Sequence, residues 1–549
     1  MSMPTGTTAA SAAEQQPPAS AAPPPFVPRH PLMVAAYMGA STLLGLTQGM
    51  AMNLVTVNIP QISGAIGATT TETTWLVAAY MAPNVSMAIA LIKIRAQYGL
   101  RNFAELSILG FVIVAILNLF INDLQSALVV RFVSGIAAAP MSTLAFLYML
   151  EPFPSQKKFT IGLSLVLTNT ALGPILARLI SPALLDIGHW HGLMVLELGT
   201  ALMAFGAVYM LPLTPQPRAK VISTLDVTSY LLIAIGFGCT AVTLVLGRLY
   251  WWFEAPWLGV LLAVAISCVT AAVVIELNRE QPLIDIRWLT SPAMLHFAAA
   301  LLIFRVVLSE QTTGAAGLFQ QLGLLNEQMH SLYLVIMAAT IAGGLTCAAV
   351  LRPGREPYIH VVALLMIATG AFMDSHATSL TRPQDMYLSQ ALIAFGGVLF
   401  LPPALASGLM SALKKGPNYI LSFIVIFLST QSLGGLLGSA VFGTFITWRE
   451  KFHSNMLVEH LVLTQPHVAQ RVAQLGQTYG RVLTDKTLLN AEGLALLSQQ
   501  ATREANVLAY NDAFLLIGAI AAISLATLLG HIAINALRDR RAPGTAAAA

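Results

Sequence analysis

Arg131, Arg178, Glu197, Arg305 and Glu310 stand inside apolar runs of the sequence, where a charge has to be used or neutralised. Placing such a group in hydrocarbon costs about 2.5–3.5 kcal/mol on insertion scales. Arg305 is the deepest, about 18 Å from either end of its run at 1.5 Å per helical residue. It is too far in to reach water along its own stem, so it requires an acid, a row of carbonyls or an anionic ligand. Glu197 lies about 12 Å into its run. A carboxylate held there can take a proton from one side and release it to the other, which is proton-carrier chemistry. The competing reading is a structural salt bridge to Arg131 or Arg178. Those two arginines lie about 6–8 Å from the ends of their runs, within snorkelling reach. Glu310 follows Arg305 by five residues, about 140° further round a helix, so the two should not pair. Glu105 follows Arg101 by four and reads as an ordinary surface pair.

The elements that must position these groups are long apolar helices. Thr160 to Pro182 is apolar enough to cross a bilayer, yet it contains Gly173-Pro174 and ends near Arg178. Proline removes a backbone donor and breaks a soluble helix, whereas neighbouring membrane helices re-satisfy the freed carbonyl. Thr170, Pro174 and Arg178 recur every four residues and share a face, which suits a seam or an aqueous cavity better than lipid. The whole chain agrees: 56% of its 549 residues are hydrophobic and only 9% charged, against about a quarter in soluble domains. Runs of about 20 apolar residues, the spanning length, recur from Leu32 to Ala536. The reading is an all-α polytopic membrane protein of fourteen transmembrane helices.

Its expected organisation is a disordered cytoplasmic tail over 1–31, six helices over 32–211, two extra central spans over 226–277, and six more over 293–536. A segment over 447–511 is inserted before the last span, and a short tail follows over 537–549. Within this scheme 160–182 and 190–211 are separate spans and 358–374 is another. Lys and Arg concentrate in alternate loops (Lys93, Arg95 and Arg101; Lys157 and Lys158; Arg279 and Arg287; Lys414 and Lys415), while the short loops opposite hold only Arg248 and Arg382. The positive-inside rule then places both termini in the cytoplasm. Cys239, Cys268 and Cys347 all lie in apolar runs and indicate no disulfide framework. A net charge of +4 points to no nucleic-acid partner.

In 447–511, Val468, Val472, Leu475, Tyr479 and Val482 follow helical spacing and predict one apolar helix face. His453, His460 and His467 lack acid or cysteine companions at ligand spacing, so no metal site is expected. Gly435, Ser439 and Gly443 form a small-residue row suited to close helix packing. Trp251-Trp252 reads as an interfacial anchor.

Several stretches together resemble the EmrB/QacA-type fourteen-span drug:proton antiporters of the major facilitator superfamily, specifically the EmrB branch. Leu172-Gly173-Pro174-Ile175-Leu176 is similar to the antiporter motif of span 5, and Arg131-Phe-Val-Ser-Gly135 to the Arg-x-x-x-Gly motif of span 4. Val57-Asn-Ile-Pro60, Thr74-Trp75-Leu76, His189-Trp190-His191-Gly192 and the glycine-rich Gln431 to Gly438 fall where that family has similar residues. Each motif is short; their order and spacing over 32–536 carry the resemblance. It implies the major facilitator fold, two six-helix bundles rocking around a midplane site, and for Arg131 a part in proton transfer or helix tethering. It also implies an inner-membrane multidrug efflux antiporter whose 447–511 segment docks a periplasmic membrane-fusion protein and a TolC-like outer-membrane channel.

The sequence departs from that pattern at three places. Span 1, Gln48 to Asn58, carries no acid where the family has Asp, leaving Gln48 and Asn53 as its polar groups on the substrate pathway with Arg178, Gly173 and Pro174. The cytoplasmic stretch Ile92 to Arg101 keeps only Gly99 and its basic character. Ala177-Arg178 replaces a usual glycine pair. Glu197, where the family usually has Asn, is the best local substitute for the missing acid, so the coupling set is read as Glu197, Arg131, Arg305 and Glu310. Three intramembrane arginines tilt the substrate towards anionic amphipathic organic compounds, exchanged for protons. Two alternatives stand: a dedicated exporter of one native metabolite such as an aromatic acid or siderophore, and a transport-deficient scaffold or sensor. No nucleophile motif, metal pair or nucleotide loop marks an enzyme, and no cofactor is expected.

Overall fold

The computed structural model describes residues 29–541 except 216, 217, 219 and 281. The expected tails therefore lie, for 1–28 and 542–549, outside the described residues. Among the described residues every regular element is helical. The long helices are α1 (Pro31–Thr56), α2 (Thr70–Tyr98), α3 (Leu100–Asn118), α4 (Leu124–Leu150), α5 (Leu163–Met210), α6 (Thr224–Leu246) and α7 (Pro256–Leu277). They continue as α8 (Pro292–Ser309), α9 (His330–Val350), α10 (Glu356–Asp374), α11 (Tyr387–Lys415), α12 (Pro417–Glu459), the short α13 (Pro466–Gly476) and α14 (Lys486–Arg541).

Local chemistry sets the starts of these helices. Thr69 and Glu72 form a reciprocal cap on α2, as do Asp123 and Ser126 on α4 and Ser223 and Asp226 on α6, each satisfying backbone donors that the first turn leaves open. Proline opens α1, α7, α8 and α12, where its missing N–H is not needed. Inside α5, Pro174 and Pro182 are tolerated, as expected of a helix packed among others.

Among the described residues twelve helices are long and apolar enough to cross a membrane, against fourteen expected. One difference is that 158–210 forms a single helical run where two spans were read. It is broken only at Gly188 and His189, and two non-helical residues suffice to redirect a helix without a loop. His189 takes φ 50°, ψ −147°, a region that side chains rarely occupy. The other difference is that Pro31–Thr56 is not one of the twelve.

Helices α1 to α5 pack together, as do α8 to α12 with α14, and α6 and α7 pair with one another against α2. The two groups meet where α5 packs on α9 and α11 and where α12 packs on α2. One apolar core is shared by both groups, joining Met149 and Val166 to Ala406, Phe423 and Phe427. A second is built from the later helices, with Leu172 and Ile175 of α5 inserted into it. Exposed Ile113, Ile266 and Leu365 lie on outward faces, the composition a lipid-facing surface requires.

In the first group α1 and α5 approach closely at Gly173. A Cβ added there would stand 2.9 Å from the Cα of Gly49 on α1, so the two glycines let the backbones touch. A similar crossing joins α8 and α12, but not through the expected row. Gly438, rather than Gly435, Ser439 or Gly443, meets the Arg305 carbonyl, 2.6 Å from where its Cβ would be. Gly434 lies against the Arg305 stem. Of the expected row, Gly443 is packed against the Arg248 side chain, its added Cβ 2.9 Å from Cδ, and Ser439 accepts from Thr313 at 3.3 Å, while Gly435 has nothing within 4 Å.

The 447–511 segment is mostly a continuation of the bundle. Helix α12 runs on to Glu459 and α14 begins at Lys486, leaving only 460–485 outside the two. On α13, Val468 and Val472 are buried and the helix packs on α14. Its apolar face ends sooner than predicted: α13 stops at Gly476, and Tyr479 and Val482 are exposed. His453 binds Asp512 at 2.7 Å, and Arg449 binds the same carboxylate at 2.5 Å, tying α12 to α14. Trp252 is no free anchor: its indole donates to Thr444 on α12 at 2.9 Å.

Candidate functional site

Each group of helices encloses a buried polar centre. In the first, Arg131 of α4 and Glu197 of α5 are 1% and 2% exposed. Arg131, although within snorkelling reach of the surface, turns inward. Its guanidinium lies 4.4 Å from the centre of the Tyr80 ring on α2, and Nη1 donates to the Ala51 carbonyl on α1 at 3.0 Å. Among the described residues Nε and Nη2 have no partner. Gly135, one turn on, makes this possible: its Cβ would fall 2.1 Å from the Tyr80 carbonyl, so α4 and α2 cross in contact and bring the ring under the arginine.

Glu197 accepts from Asn118 Nδ2 of α3 at 3.5 Å, and Asn118 also reaches Ser134 of α4 at 3.4 Å. The structural salt bridge weighed for Glu197 does not form: among the described residues no ion pair to it is found within 4.0 Å. A buried carboxylate with one long hydrogen bond, and a buried guanidinium with two free nitrogens, are each undersatisfied. That is an expensive arrangement for a purely structural pair.

Arg178 does not join that centre. It crosses between the groups, donating from Nη1 to Tyr333 Oη of α9 and from Nη2 to the Thr312 carbonyl, both at 3.2 Å. Asn326 makes a further link, donating to the Val57 carbonyl at 3.3 Å.

In the second group, Arg305 donates to the Gln431 side-chain oxygen on α12. The amide oxygen thus fills the place for which an acid, carbonyls or an anion had been expected. Among the described residues Arg305 Nε and Gln431 Nε2 remain unpartnered, and both residues are half-buried. Glu310 stays apart from Arg305, as the helical angle predicts. It begins a π-helical turn, Glu310–Gly314, and accepts from Gln390 Nε2 of α11 at 2.8 Å. The same nitrogen donates to Asp374 Oδ2 of α10 at 2.7 Å, and Ser389 Oγ donates to Asp374 Oδ1. Asp374, Gln390 and Tyr333 were missed in the sequence, and Gln431 was read only as the start of a glycine-rich stretch. Asp374 is the last residue of its predicted span, where an acid reads as a boundary marker. The only available signal was that a glutamine, Gln390, lies four residues into the next apolar run.

The remaining candidates are modest. Asn53 donates back to the Gly49 carbonyl of its own helix at 2.7 Å. Gln48 and Pro174 are half-buried, and Thr170 is exposed although it is mid-helix. Of the basic stretch Ile92 to Arg101, Arg101 binds Glu105 on α3 and Lys93 finds its acid on the extra helices. Lys93 binds Asp226 at 2.6 Å, and Arg279 binds Asp226 and Glu276, each at 2.8 Å. Burial opposes the Arg279 charge, but the hydrogen bonds to these two carboxylates outweigh it and push its pKa above the ordinary arginine value.

A bilayer-spanning helical protein in two packed groups, with buried charges in each and polar groups between them, is a polytopic membrane transporter. The chain belongs to the Major Facilitator Superfamily, whose family model matches residues 41–439. It is 22% identical over 497 residues to the fatty acid resistance protein FarB of Neisseria gonorrhoeae, covering 88% of this chain and 94% of that one. It is also 22% identical over 502 residues to the multidrug export protein EmrB of Haemophilus influenzae, covering 86% and 91%. Escherichia coli EmrB is 21% identical over 493 residues, covering 86% and 91%. Among solved structures it is similar to the proton:xylose symporter XylE (TM-score 0.52, 13% identity, 89% of this chain and 95% of that one). The human organic anion transporter MFSD10 is likewise similar (TM-score 0.54, 13% identity, 90% and 100%). At these identities the two structures establish the fold alone, which is the all-α major facilitator fold expected.

Proposed function

We propose that this chain exports small amphipathic organic compounds, carboxylates foremost, in exchange for protons. The observation that carries the reading is Glu197: 2% exposed, without an ion pair among the described residues, and beside an arginine with two free nitrogens. Glu197 carries the proton, and Arg131 senses its charge across the α4–α5 contact. Glu310 belongs to the same coupling apparatus in the second group. Arg305 and Arg178 contact the substrate, with Gln48, Asn53, Gly173 and Pro174 along the pathway. Guanidinium forks suit carboxylate heads, and similarity to a fatty acid resistance protein favours a lipophilic acid over a cationic drug.

The protein acts in a bacterial inner membrane with both termini cytoplasmic, as the distribution of Lys and Arg supports, and fourteen spans satisfy that orientation. The 447–511 segment engages a periplasmic membrane-fusion protein and, through it, a TolC-like outer-membrane channel. The test is substrate-driven proton movement in vesicles reconstituted with the full chain. Wild type should acidify or alkalise the lumen when a fatty acid or aromatic acid is added, and Glu197→Gln should bind the acid but move no protons. Proton flux unchanged in Glu197→Gln would overturn the assignment.

A further inference from the structure

Helices α6 and α7 carry none of the residues assigned to coupling or substrate, yet the pair touches both groups. Its hold on the first group is long. Lys93 of α2 binds Asp226 of α6 at 2.6 Å, and Tyr230 Oη donates to the Met87 sulfur at 3.1 Å. Further along, a Cβ added to Gly238 would stand 3.1 Å from the Ala82 carbonyl, so the α6 and α2 backbones touch. At the far end the Trp75 indole of α2 donates to Tyr250 Oη at 3.1 Å. Both rings pack on Trp257, with centroids 5.6 and 5.3 Å away.

The hold on the second group at that same end is short, and the loop between α6 and α7 makes it. Trp252 donates to Thr444 of α12 at 2.9 Å. The Lys451 ammonium lies 4.8 Å from the centre of the Trp251 ring, and the Arg248 stem covers Gly443. Thr444 and Lys451 stand about two turns apart along one face of α12. Two local devices bring adjacent indoles to that face. Trp251 takes φ 55°, a left-handed conformation that side chains rarely adopt, and such strain persists only where surrounding contacts offset it. Gly247 leaves room for the Trp252 ring, into which a Cβ would run.

The loop lies at the end of the bundle from which 460–485 projects, external in the proposed orientation. The two groups meet along two seams, α5 with α9 and α11 on one side and α12 with α2 on the other. Arg178 on the Thr312 carbonyl ties them across the first seam. The loop spans the second, with Trp75 on one flank and Thr444 on the other.

We propose that α6, α7 and their loop form a strap carried by the first group. The Trp75–Tyr250–Trp257 half stays fastened, and the Arg248–Trp251–Trp252 half lets go of α12 when the groups part at this end. The asymmetry is one of strength. A neutral hydrogen bond and an exposed cation–π contact stand against a largely buried ion pair, a backbone contact and three packed rings. The strap thereby sets how readily the external end opens. Its purpose rests on the transport reading, while its mechanics depend on neither Glu197 nor the substrate.

The test uses the full chain in nanodiscs, spin-labelled two sites at a time, with the native Cys239, Cys268 and Cys347 replaced by Ser. The sites are Ile187→Cys on the first group, Phe253→Cys on the strap and Leu325→Cys on the second group, all exposed. Labels at 187 with 325, and at 253 with 325, should each show a short and a long distance, whereas 187 with 253 should show one. Trp252→Phe, which keeps a ring and loses the donor, and Thr444→Val should each raise the long-to-short ratio by roughly 2–10-fold, the worth of one hydrogen bond. The double variant should gain no more than either single, since both remove the same bond. Glu254→Gln, exposed in the same loop, should change nothing. Ratios unchanged in both Trp252→Phe and Thr444→Val overturn the proposal. So does a distance from 187 to 253 that splits while 253 to 325 stays single, which would make α6 and α7 riders on the second group. The distances need no substrate. If the strap variants shift them but no acid is exported, the transport reading fails and the strap stands; if proton-coupled export is found and the ratios do not move, the reverse holds.

Discussion

The contact between Gly49 and Gly173 allows a perturbation whose size can be worked out in advance. An alanine methyl at position 173 would stand 2.9 Å from the Gly49 Cα, where carbon atoms settle at about 3.5–4.0 Å. Helices α1 and α5 must therefore move apart by roughly 0.6–1 Å, or Gly173→Ala must distort its own backbone. Overpacking of this kind costs about 1–3 kcal/mol. Gly49→Ala should cost a similar amount, and because the two methyls would collide with the same gap, the double variant should cost less than the sum of the singles. Gly199→Ala is the control, since nothing lies within 4 Å of its added Cβ. Thermal unfolding of the purified chain in one detergent, followed by loss of the monodisperse peak, measures all four proteins. If Gly173→Ala melts with Gly199→Ala, the backbone contact between α1 and α5 is wrong, and with it the explanation of why that motif needs glycine.

Arg178→Ala removes two hydrogen bonds made by a charged group, each worth about 1.5–3 kcal/mol, and should lower the melting temperature of the purified chain where Gly199→Ala does not. Arg178→Lys, with its single point of charge, should recover only part of that loss. Arg279→Ala leaves Asp226 and Glu276, 5% and 3% exposed, with Lys93 alone among the cations that bind this cluster. The loss should be about 3–5 kcal/mol, seen as a large fall in melting temperature that Arg287→Ala, an exposed neighbour, does not reproduce. Deleting 460–485 and joining α12 to α14 should leave the melting temperature of the bundle unchanged while abolishing co-purification with a periplasmic adaptor. Retained co-purification would remove this segment from the assembly.

Much of this protein could be read one residue at a time. Bilayer solvation demands a continuous apolar stretch of fixed length, so composition along the chain was enough to place nearly every spanning helix. It marked Arg131, Glu197, Arg305 and Glu310 as anomalies for the same reason. The Gly173-Pro174 step and its neighbours were recognisable as short motifs. What those charges touch was not recognisable, because a partner is chosen by how helices are rotated and crossed. The glycine crossing of α4 with α2 put Tyr80 rather than water under Arg131. The path of Arg178 across to Thr312 depends on α5 lying between the two groups, and the crossing of α8 with α12 fell on Gly434 and Gly438 rather than on Gly435. Asp374 became half of a carboxylate pair only because α10 and α11 bring it and Gln390 to a π-helical turn on α8. Hydropathy is a local quantity, and pairing across distant helices is not.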